Sequence, residues 1–287
     1  MSSPPRSPER WTVGRLLEWT APFFKQKGID SARLDAEVLL AHVLNLPRLH
    51  LYTGYDRPLQ QAELDAFRAL VKRRAAREPV AYITGAKGFH EIDLKVDKRV
   101  LIPRPETEMI VERARALQPS RFADLGTGSG AIALALLKAL PAATALATDV
   151  SADALAVARE NAAALGLAER VTFREGRFFE PFLGERFSLI ATNPPYVEND
   201  AVLDPDVKAF EPHVALFAGA DGLAAIRTIL QDARGVLSPG GTLLVEHGKG
   251  QGEAICRIAR ELGFEGIHDH QDAAGIDRLF EAKTKGS

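Results

Sequence analysis

The stretch TNPPYVEND runs from Thr192 to Asp200, and its Asn193-Pro194-Pro195-Tyr196 core combines residue types that can do chemistry on an amine. Asn193 brings an amide oxygen as acceptor. Each proline fixes its own φ, lacks an N–H donor and biases the residue before it toward an extended backbone, so the carbonyls of Asn193 and Pro194 can be held at set angles. Acceptors fixed in space suit an –NH₂ group that must act as a nucleophile. An amide or aromatic amine nitrogen is a poor nucleophile because its lone pair is delocalised, and pulling on both of its hydrogens orients that lone pair toward an electrophile. Tyr196 adds a flat face for a planar group to stack on.

The elements that position this turn follow from patterning. From Arg121 onward, short apolar or β-branched runs (RFADL, ATALATD, VTFRE, FSLIATN, GTLLVEH and DRLFEAK) alternate with helical segments, which predicts a doubly wound α/β sheet. Ligands of such sheets sit beyond the carboxyl ends of the strands, where the turn after FSLIAT lies. The first strand of the series leads into DLGTGSGA, with Gly126, Gly128 and Gly130 between strand and helix; missing Cβ atoms let a ligand approach the backbone. Asp149 closes the next strand and can accept hydrogen bonds from ribose hydroxyls. The same letters satisfy the dinucleotide pattern G-x-G-x-x-A, so a nicotinamide enzyme competes on the glycines alone. Asn193 to Tyr196 favour instead the methyl group of S-adenosylmethionine as electrophile.

Residues 11 to about 78 are of another style. SARLDAEVLLAHVLNL opens on Ser31 as helix N-cap, and QAELDAFRALVKRRAARE spaces Leu64, Phe67, Leu70 and Val71 along one helical face, with Pro79 expected to stop that helix. GFHEIDLKVDKRVLI alternates around Asp97 and Lys98 and predicts a hairpin joining two domains. The expected division is a helical domain, residues 1–86, and an α/β domain, residues 87–287, with the hairpin linker at about 88–102.

Composition bounds the function. The chain has 287 residues, 46% hydrophobic and 26% charged, and a formal net charge of −2, an ordinary globular balance. Residues 1–86 carry 13 Lys or Arg against 9 Asp or Glu, and the rest 23 against 29. A DNA adenine methyltransferase needs a basic groove and a target-recognition region, and neither stands out, so no stable nucleic-acid binding is expected. The only cysteine, Cys256, excludes an internal disulfide, and the seven histidines form no metal-ligand spacing; they read as solvated or structural, with no metal. The opening MSSPPRSPER has no apolar signal core and no run is long enough for a membrane span, so a cytoplasmic protein with no membrane contact is expected. The long segment VENDAVLDPDVKAFEPHVALFAGADG holds Glu198, Asp200, Asp204, Asp206, Glu211 and Asp221. Beside the turn it suits a substrate lid or docking surface.

DLGTGSG, TDVS and NPPY together resemble the class I S-adenosylmethionine-dependent amino-methyltransferases. REPVAYITG (Arg77 to Gly85), LIPRPETE (Leu101 to Glu108), DVKAFEPHVAL, DGL, EHGKGQG (Glu246 to Gly252) and DAAGIDR narrow this to the peptide chain release factor glutamine methyltransferases, over roughly residues 12 to 283. The resemblance implies a Rossmann-like sheet with its last strand antiparallel, and a small all-helical N-terminal domain that docks the substrate. It implies transfer of a methyl group from S-adenosylmethionine to the side-chain amide nitrogen of the glutamine in the Gly-Gly-Gln loop of class 1 release factors, leaving S-adenosylhomocysteine, by a protein expected to be a monomer. It places Gly126, Thr127, Gly128, Ser129, Gly130 and Asp149 at the cofactor, with Phe178 near adenine and Pro103 and Thr107 as cover. Asn193, which also borders the cofactor, Pro194, Pro195 and Tyr196 grip the glutamine, with Asn193, Pro194 and Tyr196 catalytic. Arg177 departs from the acidic residue that the family often has before that aromatic. A ribosomal-protein glutamine, or a nucleic-acid amine, is the alternative substrate.

Overall fold

A computed structural model describes residues 10–182 and 184–286. The polar, proline-rich opening before Arg10 lies outside the described residues. Two compact units emerge: one is the chain up to Gly85 together with Asp204–Phe210, and the other is the remainder.

The helical unit holds α1 (Val13–Gln26), α2 (Ala32–Leu44), the one-turn α3 (His50–Thr53), α4 (Gln61–Ala75) and α5 (Val80–Thr84). Thr12 caps α1 by accepting from Arg15 N, and Glu63 accepts from Gln60 N at the start of α4. Ser31 does stand at the N-cap of α2, but its hydroxyl donates to Asp35 at 2.7 Å instead of capping the backbone. Leu17, Phe24, Leu39, Leu40, Phe67 and Val71 form the core. The stop falls ahead of Pro79: α4 ends at Ala75, Arg77 takes a left-handed φ of 74°, and Pro79 opens α5. The stop comes early because a proline disfavours the helical state of the residue before it, so the turn is made ahead of Glu78.

The α/β unit opens with a hairpin, β1 (Ala86–Phe89) and β2 (Ile92–Lys95). Its turn is at His90–Glu91, not at Asp97–Lys98: His90 adopts φ of 51° and its N–H donates to Glu108. Asp97 instead accepts from the N–H and guanidinium of Arg99, and its carbonyl accepts from Val100 N. Alternation alone marked the strands without marking the turn.

There follow α6 (Glu108–Ala116), β3 (Arg121–Leu125), α7 (Ala131–Ala139), β4 (Thr144–Asp149), α8 (Ala152–Ala164), β5 (Val171–Glu175), β6 (Phe187–Thr192), then α9 (Pro205–Phe210), which belongs to the helical unit, and α10 (Ala224–Val236), β7 (Leu237–Glu246), α11 (Gly252–Glu261), β8 (Glu265–Gln271) and β9 (Asp277–Lys283). The seven strands are ordered β5-β4-β3-β6-β7-β9-β8. The first five run parallel, and β9 inserts antiparallel between β7 and β8. β3 and β6 are buried almost throughout because helices cover both faces of a parallel sheet.

One row of the sheet sets the geometry of the site. Leu125 is in register with Thr148 and with Thr192, and Thr192 with Val245. The next residue on each strand is therefore Gly126, Asp149, Asn193 or Glu246. Four separate strands deliver these residues to one edge, at the point where the chain order reverses on either side of β3.

Candidate active site

The glycine loop is held from below by a buried carboxyl group. Asp124, second to last on β3, accepts the Thr127 hydroxyl at 2.6 Å and Ala133 N at 3.2 Å through Oδ2, while Oδ1 is buried without a hydrogen-bond partner. Complete burial pushes its pKa up to about 7. Gly126, Gly128 and Gly130 all have positive φ; at Gly130 a Cβ would also stand 2.8 Å from Leu134, so a side chain is excluded twice over. Asp149 clamps the loop from the neighbouring strand, accepting Gly128 N and Ser151 N at 2.9 Å each. Desolvation raises its pKa, yet each oxygen keeps a lone pair for a further donor.

These residues border a cavity of about 470 Å³. Gly126, Gly128, Asp149, Phe178, Asn193 and Pro195 are in its wall, with Leu101, Val214 and Phe217 among the other lining residues. The volume and mixed lining suit a nucleoside-sized ligand. Phe178 sits there with φ of 47°, an uncommon conformation for an aromatic residue, and the Arg177 guanidinium lies 5.3 Å from its ring centre. Thr127, Ser129 and Gly130 build the loop without lining the cavity: Thr127 turns inward to Asp124, and the Ser129 carbonyl accepts from Asn161 at 2.8 Å. Pro103 is buried outside the cavity wall, where Arg99, Val100 and Leu101 of the same segment stand instead.

Thr107 has another part. Its hydroxyl accepts from Asn193 Nδ2 at 3.0 Å, so the amide is turned with its NH₂ toward Thr107. Asn193 Oδ1 accepts no hydrogen bond from the described residues. Pro194 is buried, and Tyr196 is wedged against the end of β7 and the start of α11. Its hydroxyl donates to Glu246 Oε1 at 3.2 Å, and its carbonyl accepts from Gln251 Nε2 at 3.0 Å. A Cβ at Gly222 would come within 2.3 Å of the Tyr196 carbonyl oxygen, which explains a glycine after Asp221. Burial, reinforced by the Glu246 charge, pushes the Tyr196 pKa upward, so the phenol stays a donor. Burial likewise raises Glu246 to about 7.

Asp124, Glu246 and Gln251 are absent from the site expected from sequence. The rule that singled out Asp149, an acidic residue closing a parallel strand, applies equally to Glu246 in LLVEH.

The acidic segment differs from a free docking face. Glu211 is buried and accepts Ile102 N at 3.1 Å and Arg104 at 2.5 Å. Asp204 and Asp206 pair with Arg77 and Arg74 within the helical unit, and Asp221 pairs with Arg227. Four of its six acids thus hold the fold. His247 is a structural histidine: it is fully buried, with Nε2 at 2.9 Å from Asp269 and Nδ1 at 3.0 Å from the Gly248 carbonyl. No described helix is long and apolar enough to cross a membrane.

Comparison with known proteins gives the chain its family. Residues 15–85 match the PrmC N-terminal domain, and residues 105–210 match the methyltransferase small domain. The chain is 45% identical over 276 residues to the release factor glutamine methyltransferase of Geobacter sulfurreducens, covering 95% of this chain and 96% of that one. With the protein of the same name from Xylella fastidiosa Temecula1 it shares 46% over 262 residues, covering 88% and 94%. A methyltransferase structure from Pyrococcus furiosus superposes with a TM-score of 0.53 at 18% identity, covering 76% of this chain and 98% of that one, and shows the shared fold. With near-complete coverage at such identity, the chain belongs to the release factor glutamine methyltransferase family.

Proposed function

We propose that this protein methylates the side-chain amide nitrogen of the glutamine in the Gly-Gly-Gln loop of class 1 release factors, using S-adenosylmethionine and releasing S-adenosylhomocysteine. The observation that carries the chemistry is the orientation of Asn193. Its NH₂ is committed to Thr107, which leaves Oδ1 as an acceptor at the cavity wall. The Pro194 carbonyl, set by the following proline, supplies the second acceptor. Together they take both hydrogens of a primary amide and turn its lone pair toward the cavity.

When bound, S-adenosylmethionine supplies an electrophilic methyl group on a sulfonium. Asp149 would accept from its ribose, Gly126 and Gly128 would let it approach the main chain, and Phe178 would face its base. Tyr196 keeps the glutamine amide flat against the turn, and the Tyr196–Glu246 hydrogen bond keeps the ring from swinging. Orientation of this kind can lower a barrier by roughly 7–11 kcal/mol. The surplus proton leaves for solvent after transfer, when the methylated nitrogen has become acidic. The helical unit is assigned to docking the release factor, which raises the local concentration of one glutamine beside Tyr196.

Intact-mass measurement of a purified release factor after incubation with enzyme and S-adenosylmethionine tests the reading. A gain of one methyl, mapped to the Gly-Gly-Gln peptide, is expected. An unchanged release factor beside a methylated ribosomal protein would overturn the substrate assignment.

A further inference from the structure

The turn from Asn193 to Tyr196 has little of its own to hold it in place: Pro194 and Pro195 carry no N–H, so its ends must be fastened by other parts of the chain. Thr107 fastens the first end, accepting from Asn193 Nδ2 at 3.0 Å. The Tyr196 end is fastened from one short segment, Glu246 to Gln251. Glu246 accepts from the phenol hydroxyl at 3.2 Å, and Gln251 Nε2 donates to the main-chain carbonyl at 3.0 Å. One residue later another part of the chain takes over, with Val197 N donating to the Leu216 carbonyl at 2.9 Å.

The main chain sets the direction of the Gln251 amide. Oε1 accepts from Gly248 N at 2.8 Å, and Nε2 faces the Tyr196 carbonyl at 3.0 Å and the Asp221 carbonyl at 3.5 Å. An N–H can only donate and a carbonyl can only accept, so a reversed amide would lose these bonds together. Two glycines leave room for it. A Cβ at Gly222 would stand 2.7 Å from Nε2, and one at Gly248 would stand 3.0 Å from Oε1 and 3.3 Å from Cδ2 of Tyr196. The loops after β6, before α10 and after β7 thus converge on one half-buried side chain.

We infer that Gln251 is a positioning residue for the methyl transfer: it fixes the main chain at Tyr196, and with it the face against which the glutamine amide lies. This rests on the methyl-transfer reading of the Asn193–Tyr196 turn. Glu246 holds the ring by its tip, and a ring held only there can still tilt on a loose main chain. The Gln251 bond removes that freedom at the carbonyl. A displacement of about 1 Å at a reacting centre can cost on the order of 10²-fold in rate. Gln251 does not line the cavity, so its effect falls on kcat and leaves cofactor binding alone.

The experiment uses the full-length protein. Tyrosine labelled with ¹³C at its carbonyl, combined with ¹⁵N-valine, marks the Tyr196–Val197 peptide alone, because Tyr52, Tyr55 and Tyr82 precede Thr53, Asp56 and Ile83. Gln251→Met fills similar space with neither donor nor acceptor. Gln251→Glu, ionised at about pH 8, keeps the acceptor for Gly248 N and loses the donor to Tyr196. In both variants the labelled carbonyl should move upfield, and kcat on the release factor should fall about 10- to 100-fold, with S-adenosylmethionine affinity by calorimetry unchanged. Gln251→Glu, the nearer in shape, judges the proposal if Gln251→Met does not fold. Wild-type kcat in a folded variant, a labelled carbonyl unmoved in both, or a loss of S-adenosylmethionine affinity as large as the loss of kcat overturns it. A release factor left unmethylated by wild type would instead refute the substrate reading, while the Tyr196–Val197 resonance would still judge Gln251.

Discussion

The main-chain N–H of Gly128 donates to Oδ2 of Asp149 across 2.9 Å, joining the glycine loop after β3 to the end of β4. Asp149 is thus both a strut for the loop and a lining residue of the cavity. Its two functions share one carboxylate. A ribose would meet an acceptor whose orientation is already fixed by Gly128 and Ser151.

Asp149→Ala removes strut and acceptor together. Loss of a charge-assisted hydrogen bond typically costs about 1.5–3 kcal/mol. Affinity for S-adenosylmethionine and for S-adenosylhomocysteine should therefore fall alike, by roughly 10- to 100-fold. Asp149→Asn, which keeps one acceptor, should fall between the two. Calorimetry with both ligands measures this, and unchanged affinity for either would remove Asp149 from the cofactor site.

Asn193→Ala should separate binding from chemistry. The alanine variant keeps Gly126, Gly128, Asp149 and Phe178 in place, so S-adenosylmethionine affinity should be nearly unchanged. Removing an acceptor matched to the transition state should lower kcat by about 10²–10³. Thr107→Val frees the amide to turn without deleting it and should have a smaller effect, about tenfold. Single-turnover methylation of the release factor reads both, and wild-type turnover in Asn193→Ala would sink the role given to this residue.

The legible parts of the fold are those whose burial is local in sequence. The parallel strands could be read because their short apolar or β-branched runs alternate with helical segments, and helices on both faces leave β3 and β6 almost wholly buried; the glycines and Asp149 could be read because their backbone tasks require those residue types. β8 escaped notice: EGIHDHQ is an edge strand paired only with β9, half-exposed and without alternation. Glu246 escaped for a different reason. The rule that found Asp149 reaches it too, but its burial and its partner Tyr196, 50 residues away, are not visible in EHGKGQG. The sequence of the acidic segment suggests a substrate lid or docking surface because the arginine partners of Asp204 and Asp206 lie about 130 residues earlier.

Asp124 should make stability depend on pH in a recognisable direction. Its pKa is raised by burial to about 7 in the folded protein, above its ordinary value of 3.8. Between about pH 4 and pH 7 the folded state holds a proton that the unfolded state has lost, so stability from this group falls as pH rises. Asp124→Asn retains an acceptor for Thr127 and Ala133 and has no such ionisation. The variant should gain on wild type as pH rises through that window and hold its advantage above pH 7, by roughly 1–3 kcal/mol. Urea denaturation at pH 5 and pH 8 supplies the comparison. An equal difference at both values would show that Asp124 does not carry the proton.

Arg74 tests how Asp204–Phe210 is held in the helical unit. It is 5% exposed, and it bridges Asp35 and Asp206 at 2.7 Å each while also donating to the Glu78 carbonyl at 3.2 Å. One cation thus ties α2 and α4 to a segment that leaves the sheet between β6 and α10. Arg74→Met fills similar space without charge and leaves two carboxylates facing an apolar side chain. Breaking a buried pair from one side typically costs about 3–5 kcal/mol. The expected result is a loss of that order in urea denaturation of the full chain, with new protease cleavage within Asp204–Phe210. Binding of S-adenosylmethionine should persist, because no residue of that segment lines the cavity. An Arg74→Met variant as stable as wild type, with the segment still protected, would show that apolar packing alone retains it.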